Sequence, residues 1–203
     1  NEFSHRIMAL ARMKKILVIN NHDSFTYNLV DLIRQLQVRF DVVSVEDLSL
    51  DCVEGYTHIL ISPGPDVPSM YPQLFAMLER FYQTKSILGV CLGHQTLCEF
   101  FGGEIYNLPS VRHGQKRRLK VRSNSGLFLG LPAEFEIGLY HSWAVQTESM
   151  PETLEITAVC DDEIVMATQH KNLPIFSVQF HPESYMSEFG EQVLQNWLNF
   201  KNT

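Results

Sequence analysis

The sequence predicts an α/β protein: an open, mostly parallel sheet with helices on both faces and a small antiparallel section. Three observations lead there. Short branched-apolar runs alternate with helical patterns four times between residues 14 and 101. Short connections join them, the arrangement of parallel strands covered by helices. After Gly102–Gly103 the helical period gives way to shorter alternating runs. The chain of 203 residues, 45% hydrophobic and 19% charged, is long enough for one domain with a substantial core.

The elements follow in order. KKILVIN, residues 14–20, is rich in branched residues and runs into the polar NNHDS, a buried strand meeting a loop. Ser24 or Asp23 can cap a helix reaching to about Gln37, with Phe25, Leu29, Leu32, Ile33 and Leu36 on one face. Asp41–Val45 and Thr57–Ile61 read as the second and third strands, the latter stopped by SPGPDVP. A helix presents Leu74, Met77, Leu78 and Phe81 on one face, and Ser86–Val90 is the fourth strand. Beyond lie LKV, EFEIGLYHS, LEITAVC, EIVMATQ and IFSVQF as further strands, some antiparallel, and a closing helix over about Ser187–Phe200.

The formal net charge of −7 argues against nucleic acid or an anionic membrane as the main partner, since both call for basic patches. No apolar run approaches the ~20 residues that cross a bilayer. Residues 1–12 lack a periodic pattern and read as a vector-derived or disordered extension, which leaves 13–203 as the domain. Ile16–Ile19 is too short for a signal-peptide core. The expected compartment is the reducing cytoplasm, so the four cysteines are expected as thiols.

Two of them fall in GVCLGHQTLC, residues 89–98. On a helix Cys91, His94 and Cys98 share a face, but a rise of ~1.5 Å per residue puts the two cysteine Cα atoms ~10 Å apart. Two thiolates on one zinc must approach within about 4–5 Å, so the metal reading fails, and a disulfide fails on the same distance. The chemistry read here calls for no metal and no other cofactor. Gly89 and Gly93 flank Cys91 at −2 and +2, giving the G-x-C-x-G of a nucleophile elbow with cysteine in place of serine. The thiol would sit at a strand's carboxyl end and a helix N-terminus, where the dipole favours thiolate and the Leu92 N–H can meet an oxyanion. On this pattern alone a nucleophile and a small buried core cysteine both stay open. Cys98, followed by Phe100 and Phe101, reads as core, and His94 as a structural hydrogen-bonding group.

A cysteine nucleophile needs a histidine base oriented by a third group. Of eight histidines, His5, His22, His58, His94 and His170 are set aside by position, and His113 lies in what reads as a basic loop. His141 ends the run EFEIGLY. His181 ends the apolar IFSVQF, where loops build sites on an α/β sheet, and Glu183 stands two residues on across Pro182. Cys91, His181 and Glu183 complete a triad.

Together GVCLGHQ, QFHPES around His181, SPGP at Ser62–Pro65 and YHS at Tyr140–Ser142 resemble the class I (triad) glutamine amidotransferases. NHDSFTYNL at Asn21–Leu29 narrows the resemblance to the glutaminase components of anthranilate and aminodeoxychorismate (para-aminobenzoate) synthases. The likeness runs from about Lys14 to the C-terminus. It implies a flavodoxin-like sheet and attack by Cys91 on the side-chain amide of L-glutamine through a thioester. It implies His181 as general base and acid and Glu183 as its orienting group. It further implies an oxyanion hole from the N–H groups of Leu92 and Gly64, and glutamine held by Gln95 with the backbone of Ser142 and Trp143. The ammonia would pass to a separate chorismate-aminating synthase subunit. The alternatives are a member serving another acceptor and a catalytically silent docking subunit.

Three features depart from the family pattern or leave it open. SPGPDVP carries Asp66 where the family usually has a second glycine; we expect the aspartate to adopt left-handed backbone and point to solvent. Trp143 replaces a leucine more often found after YHS. The basic run Arg117–Arg118, Lys120 and Arg122 reads either as a solvated edge strand or as part of a docking face.

Overall fold

A computed structural model describes residues 13–202, so the expected extension at 1–12 lies outside the described residues. Nine strands form one sheet: β1 Lys15–Asn20, β2 Arg39–Ser44, β3 His58–Ile61, β4 Ser86–Val90, β5 Ile105–Val121, β6 Glu134–Val145, β7 Leu154–Cys160, β8 Val165–His170 and β9 Ile175–Val178. Their order is β2-β1-β3-β4-β9-β8-β7-β5-β6. The first five in that order pair parallel and the remaining pairs are antiparallel. The parallel half has the flavodoxin-like order, for which ligands gather beyond the strands' carboxyl ends.

Among the described residues the α-helices packed with this sheet are α1 Thr26–Gln35, α2 Leu50–Val53, α3 Pro72–Phe81, α4 Leu92–Phe100 and α5 Gly190–Asn199. Alternation along each strand assigns its two faces. Ile16, Val18, Leu60, Leu88, Val90, Phe176 and Val178 pack with Leu29 and Ile33 of α1 and Val193, Leu194 and Trp197 of α5. Leu17, Ile19, Ile59, Ile61, Ile87 and Ile175 pack with Leu74, Met77, Leu78 and Phe81 of α3 and Leu97 of α4. Strands buried on both faces need continuous apolar sequence, which is why ILVI and HILI show no polar alternation. No helix among the described residues is long and apolar enough to cross a membrane.

The boundaries shift slightly from expectation. The first helix stops at Gln35, and its entry is held one turn early: Asp23 Oδ1 accepts the Phe25 N–H at 2.7 Å. The larger correction concerns residues 105–121, which form one strand of 17 residues rather than a loop leading to LKV. Pro109, Gly114 and a dense charge run hide its period, and two register shifts against β6 break what alternation remains. His113 therefore lies in a strand, not in a basic loop. The basic run is not an edge strand either, because β5 lies between β7 and β6 and β6 is outermost. Arg118 faces Glu134 at 3.4 Å and Arg122 faces Glu163 at 3.2 Å.

Candidate active site

Cys91 leaves the carboxyl end of β4 with φ 54° and ψ −101°, a backbone conformation that costs a non-glycine residue energy. Its N–H donates to the Val178 carbonyl of β9 at 2.8 Å, and the Cys91 carbonyl accepts the Gln95 N–H at 3.1 Å to start α4. The flanking glycines permit this turn. A Cβ on Gly89 would lie 2.4 Å from Gly93 backbone atoms, and one on Gly93 would lie 2.4 Å from the Ile61 carbonyl oxygen. The G-x-C-x-G spacing is thus a packing requirement as well as a sequence pattern.

Next to it, the chain beyond β9 brings in His181 and Glu183, both almost wholly buried. The His181 Nδ1–Glu183 Oε1 distance is 2.7 Å. A carboxylate only accepts, so Nδ1 carries the hydrogen and Nε2 is the nitrogen left for Cys91. Burial by itself would lower the pKa of His181. The Glu183 carboxylate and the nearby Cys91 thiol outweigh it and hold the imidazole well above its usual value. Nε2 has no partner of full hydrogen-bond geometry, a looseness common in catalytic pairs before substrate arrives. Phe25 and Tyr140 stand edge-on to the imidazole at 5.1 Å and 5.0 Å between ring centres, fencing it from water.

The loop after β3 closes the opposite wall. Asn21 donates its backbone N–H to Ser62 Oγ at 3.0 Å and its side-chain amide to the Ser62 carbonyl at 2.9 Å. Gly64 is pressed so near Asn21 and Leu92 that a Cβ would come within 2.6 Å of each. The two expected oxyanion donors, Gly64 and Leu92, are therefore neighbours across the nucleophile's turn. Asp66 adopts φ 65°, the left-handed backbone expected of it, and is exposed while also lining the cavity beside Cys91.

Cys91, Gly64, Gln95, Ser142 and Trp143 all line one cavity of about 430 Å³, while Leu92, His181 and Glu183 stand buried behind its wall. Gln95 Nε2 donates to the Trp143 carbonyl at 3.0 Å and to Gln179 Oε1 at 3.2 Å. Gln179 in turn points its Nε2 at Cys91 Sγ, 3.5 Å away. Sequence reasoning missed Gln179, although an amide in the mostly apolar IFSVQF was a visible signal; the structure buries it fully. It also gave no role to Arg112, His113 or Tyr140, which line the cavity from β5 and β6.

A glutamine amidotransferase class-I family model matches residues 17–200, nearly the whole described chain. The chain belongs to the class I glutamine amidotransferases. A Haemophilus influenzae relative, provisionally named anthranilate synthase component II, is 73% identical over 184 residues, covering 91% of this chain and 95% of that one. Anthranilate synthase component 2 of Pseudomonas aeruginosa is 40% identical over 191 residues, covering 90% and 94%. A Thermoplasma acidophilum structure, provisionally named as part of a GMP synthase, superposes with TM-score 0.83 at 24% identity over 92% of this chain and 93% of that one, a likeness of fold alone. The enzyme is a glutamine amidotransferase, and its reaction is transfer of the nitrogen of glutamine's side-chain amide.

Proposed function

We propose that this chain is the glutaminase subunit of a two-component synthase that aminates chorismate, working as one domain over residues 13–203 in the cytoplasm. One observation carries the chemistry: a cysteine on a strained turn faces a buried histidine whose far nitrogen is held by a carboxylate at 2.7 Å. Cys91 loses its proton to His181 Nε2 and its sulfur attacks the amide carbon of glutamine. The carbonyl oxygen gathers negative charge toward the N–H groups of Leu92 and Gly64. His181 returns the proton to the leaving nitrogen, ammonia departs, and a γ-glutamyl thioester remains. Water then attacks with His181 as base, glutamate leaves and the thiol is regenerated. Gln95 and the backbone of Ser142 and Trp143 hold the amino-acid end of the substrate, and Gln179 positions both Gln95 and the nucleophile.

The acceptor is proposed from the names of the relatives, which are anthranilate synthase components. Ammonia passes to a separate chorismate-aminating subunit, so this half of the enzyme makes the nucleophile and the other half uses it. The test is to mix the chain with anthranilate-forming and with aminodeoxychorismate-forming subunits and follow glutamine-dependent product. Product with either, lost in Cys91→Ser while ammonia-dependent synthesis persists, is the expected result. No glutamine hydrolysis with either partner would overturn the reading.

A further inference from the structure

A glutamine site must tell one primary amide from all others, and the side chain alone does not suffice: the α-carboxylate and α-ammonium are what make the substrate glutamine. Resting on the glutamine reading above, we propose that Arg112 is a specificity-determining residue whose guanidinium takes the substrate's α-carboxylate.

The local fold brings a cation to the cavity. Strand β5 slips register against β6 on both sides of Arg112 and His113, between Asn107 and Arg112 and again between His113 and Gln115. Such irregularities re-aim side chains near active sites. Val111, Arg112 and His113 consequently line the cavity that Cys91 and Gln95 line from the other side. Arg112 is the one lysine or arginine among the cavity's described lining residues. Its cross-strand partner is His141, the residue just before Ser142 and Trp143. The backbone of Arg112 is therefore paired with the segment that leads into the residues proposed to hold the amino-acid end of glutamine, and its charge acts on the His141 imidazole.

The pairing of Arg112 is incomplete. Only 11% of its side chain is exposed, and Nη2 donates to Asp162 in the turn between β7 and β8. Nη1 is buried and has no acceptor among the described residues. An arginine whose task was to clamp that turn would gain most from two parallel bonds to the carboxylate. Here one nitrogen anchors the group and the other is left for a further acceptor, and a planar carboxylate matches that geometry. The neighbouring His141 does not supply it. Its Nδ1 lies 2.7 Å from the Trp143 carbonyl, and its Nε2 also lacks a partner. The two other charged residues lining the cavity, Asp23 and Asp66, are carboxylates and would repel the α-carboxylate. Asp66 is exposed and so screened, whereas the half-shut position of Arg112 preserves its pull.

Calorimetric titration of the Cys91→Ser protein, with its synthase partner present, tests this with L-glutamine and with L-glutamine α-amide, which lacks the carboxylate charge. With Arg112 intact, glutamine should bind about 10- to 100-fold more tightly than the α-amide, the worth of one charge-assisted bond. Arg112→Met should remove that preference while leaving affinity for the α-amide in place, which also shows that the pocket has formed. Arg112→Lys should keep part of it. A merely structural role, exerted through Asp162, would weaken both ligands alike in Arg112→Met and equally in Asp162→Asn; that result, or an unchanged preference in Arg112→Met, overturns the proposal. No binding of glutamine with Arg112 intact would overturn the glutamine reading along with it, whereas binding without discrimination overturns this inference alone.

Discussion

The molecule contains two cysteine–histidine neighbourhoods, and only one is built for chemistry. Cys98 Sγ lies 3.9 Å from His94 Nδ1, deep between α4 and the sheet. His94 meets Ser177 Oγ at 2.7 Å, and among the described residues no carboxylate hydrogen-bonds to either group. Burial pulls His94 down to about 3 and pushes Cys98 up to about 12, so both are neutral at physiological pH. Cys91 and His181 are buried nearly as well, yet Glu183 at 2.7 Å reverses the effect of burial on the imidazole. Cys98 also sits in relaxed helix, while Cys91 is held at φ 54°. Proximity of thiol and imidazole is common to both places. A compensating carboxylate, a strained turn and an adjoining cavity are confined to one.

Replacing each cysteine tests the contrast most directly. Cys91→Ser should lower glutamine-dependent synthesis by at least about 10³-fold, as loss of a catalytic nucleophile does, read by product formation with the partner subunit. Cys98→Ala should leave that rate intact and cost about 1–2 kcal/mol of stability for the small cavity, read by denaturant unfolding. Equal losses of rate from the two would erase the distinction.

The carboxylate comes next. Glu183→Gln should keep the geometry but remove the charge, lowering kcat by about 10²- to 10⁴-fold. The pH profiles of stability should move in opposite senses for the two histidines. His181 is raised in the folded state, so its contribution is complete below its unfolded value and fades as pH rises through its folded one. His94, lowered to about 3, and His58 and His141, lowered to about 4, behave the other way. Their contribution is complete above the unfolded histidine value of about 6.5 and is lost as pH falls. Melting temperature should therefore drop on acidification from about pH 6.5 toward 4, and Glu183→Gln should abolish only the component attributable to His181.

The turn gives smaller effects. Gly89→Ala sets a Cβ 2.4 Å from Gly93 backbone and should cost about 2–3 kcal/mol, with β4 and α4 forced apart. Asp66→Gly, at an exposed residue already in left-handed backbone, should change the KM for glutamine by less than about twofold. A large fall in KM would show that the aspartate repels substrate after all.

Much of the parallel half was legible because its inner strands are buried on both faces: ILVI, HILI and ILGV hold no residue facing solvent, and the helices between them keep one apolar stripe. The antiparallel half was harder. In β5 one face is wet, Pro109 and Gly114 interrupt it, and its charges answer acidic partners such as Glu134 on β6 that only pairing reveals. Gln179 was readable in principle as a large polar residue in the mostly apolar run IFSVQF, whereas Arg112 was not, since nothing local distinguishes it from the other basic residues of its strand.

What the sequence determined by itself is the set of residues whose chemistry is local: glycines at −2 and +2 of Cys91, a proline-bridged His181 and Glu183, and apolar runs of strand length. Tertiary structure decided which of these meet. Ninety residues separate Cys91 from His181, and only the adjacency of β4 and β9 in the sheet turns two distant motifs into one site. The same packing decided that His94, next to the nucleophile in sequence, points into a neutral core. A pKa, an oriented donor or a cavity wall depends on what surrounds a group in space, and long-range pairing alone fixes those surroundings.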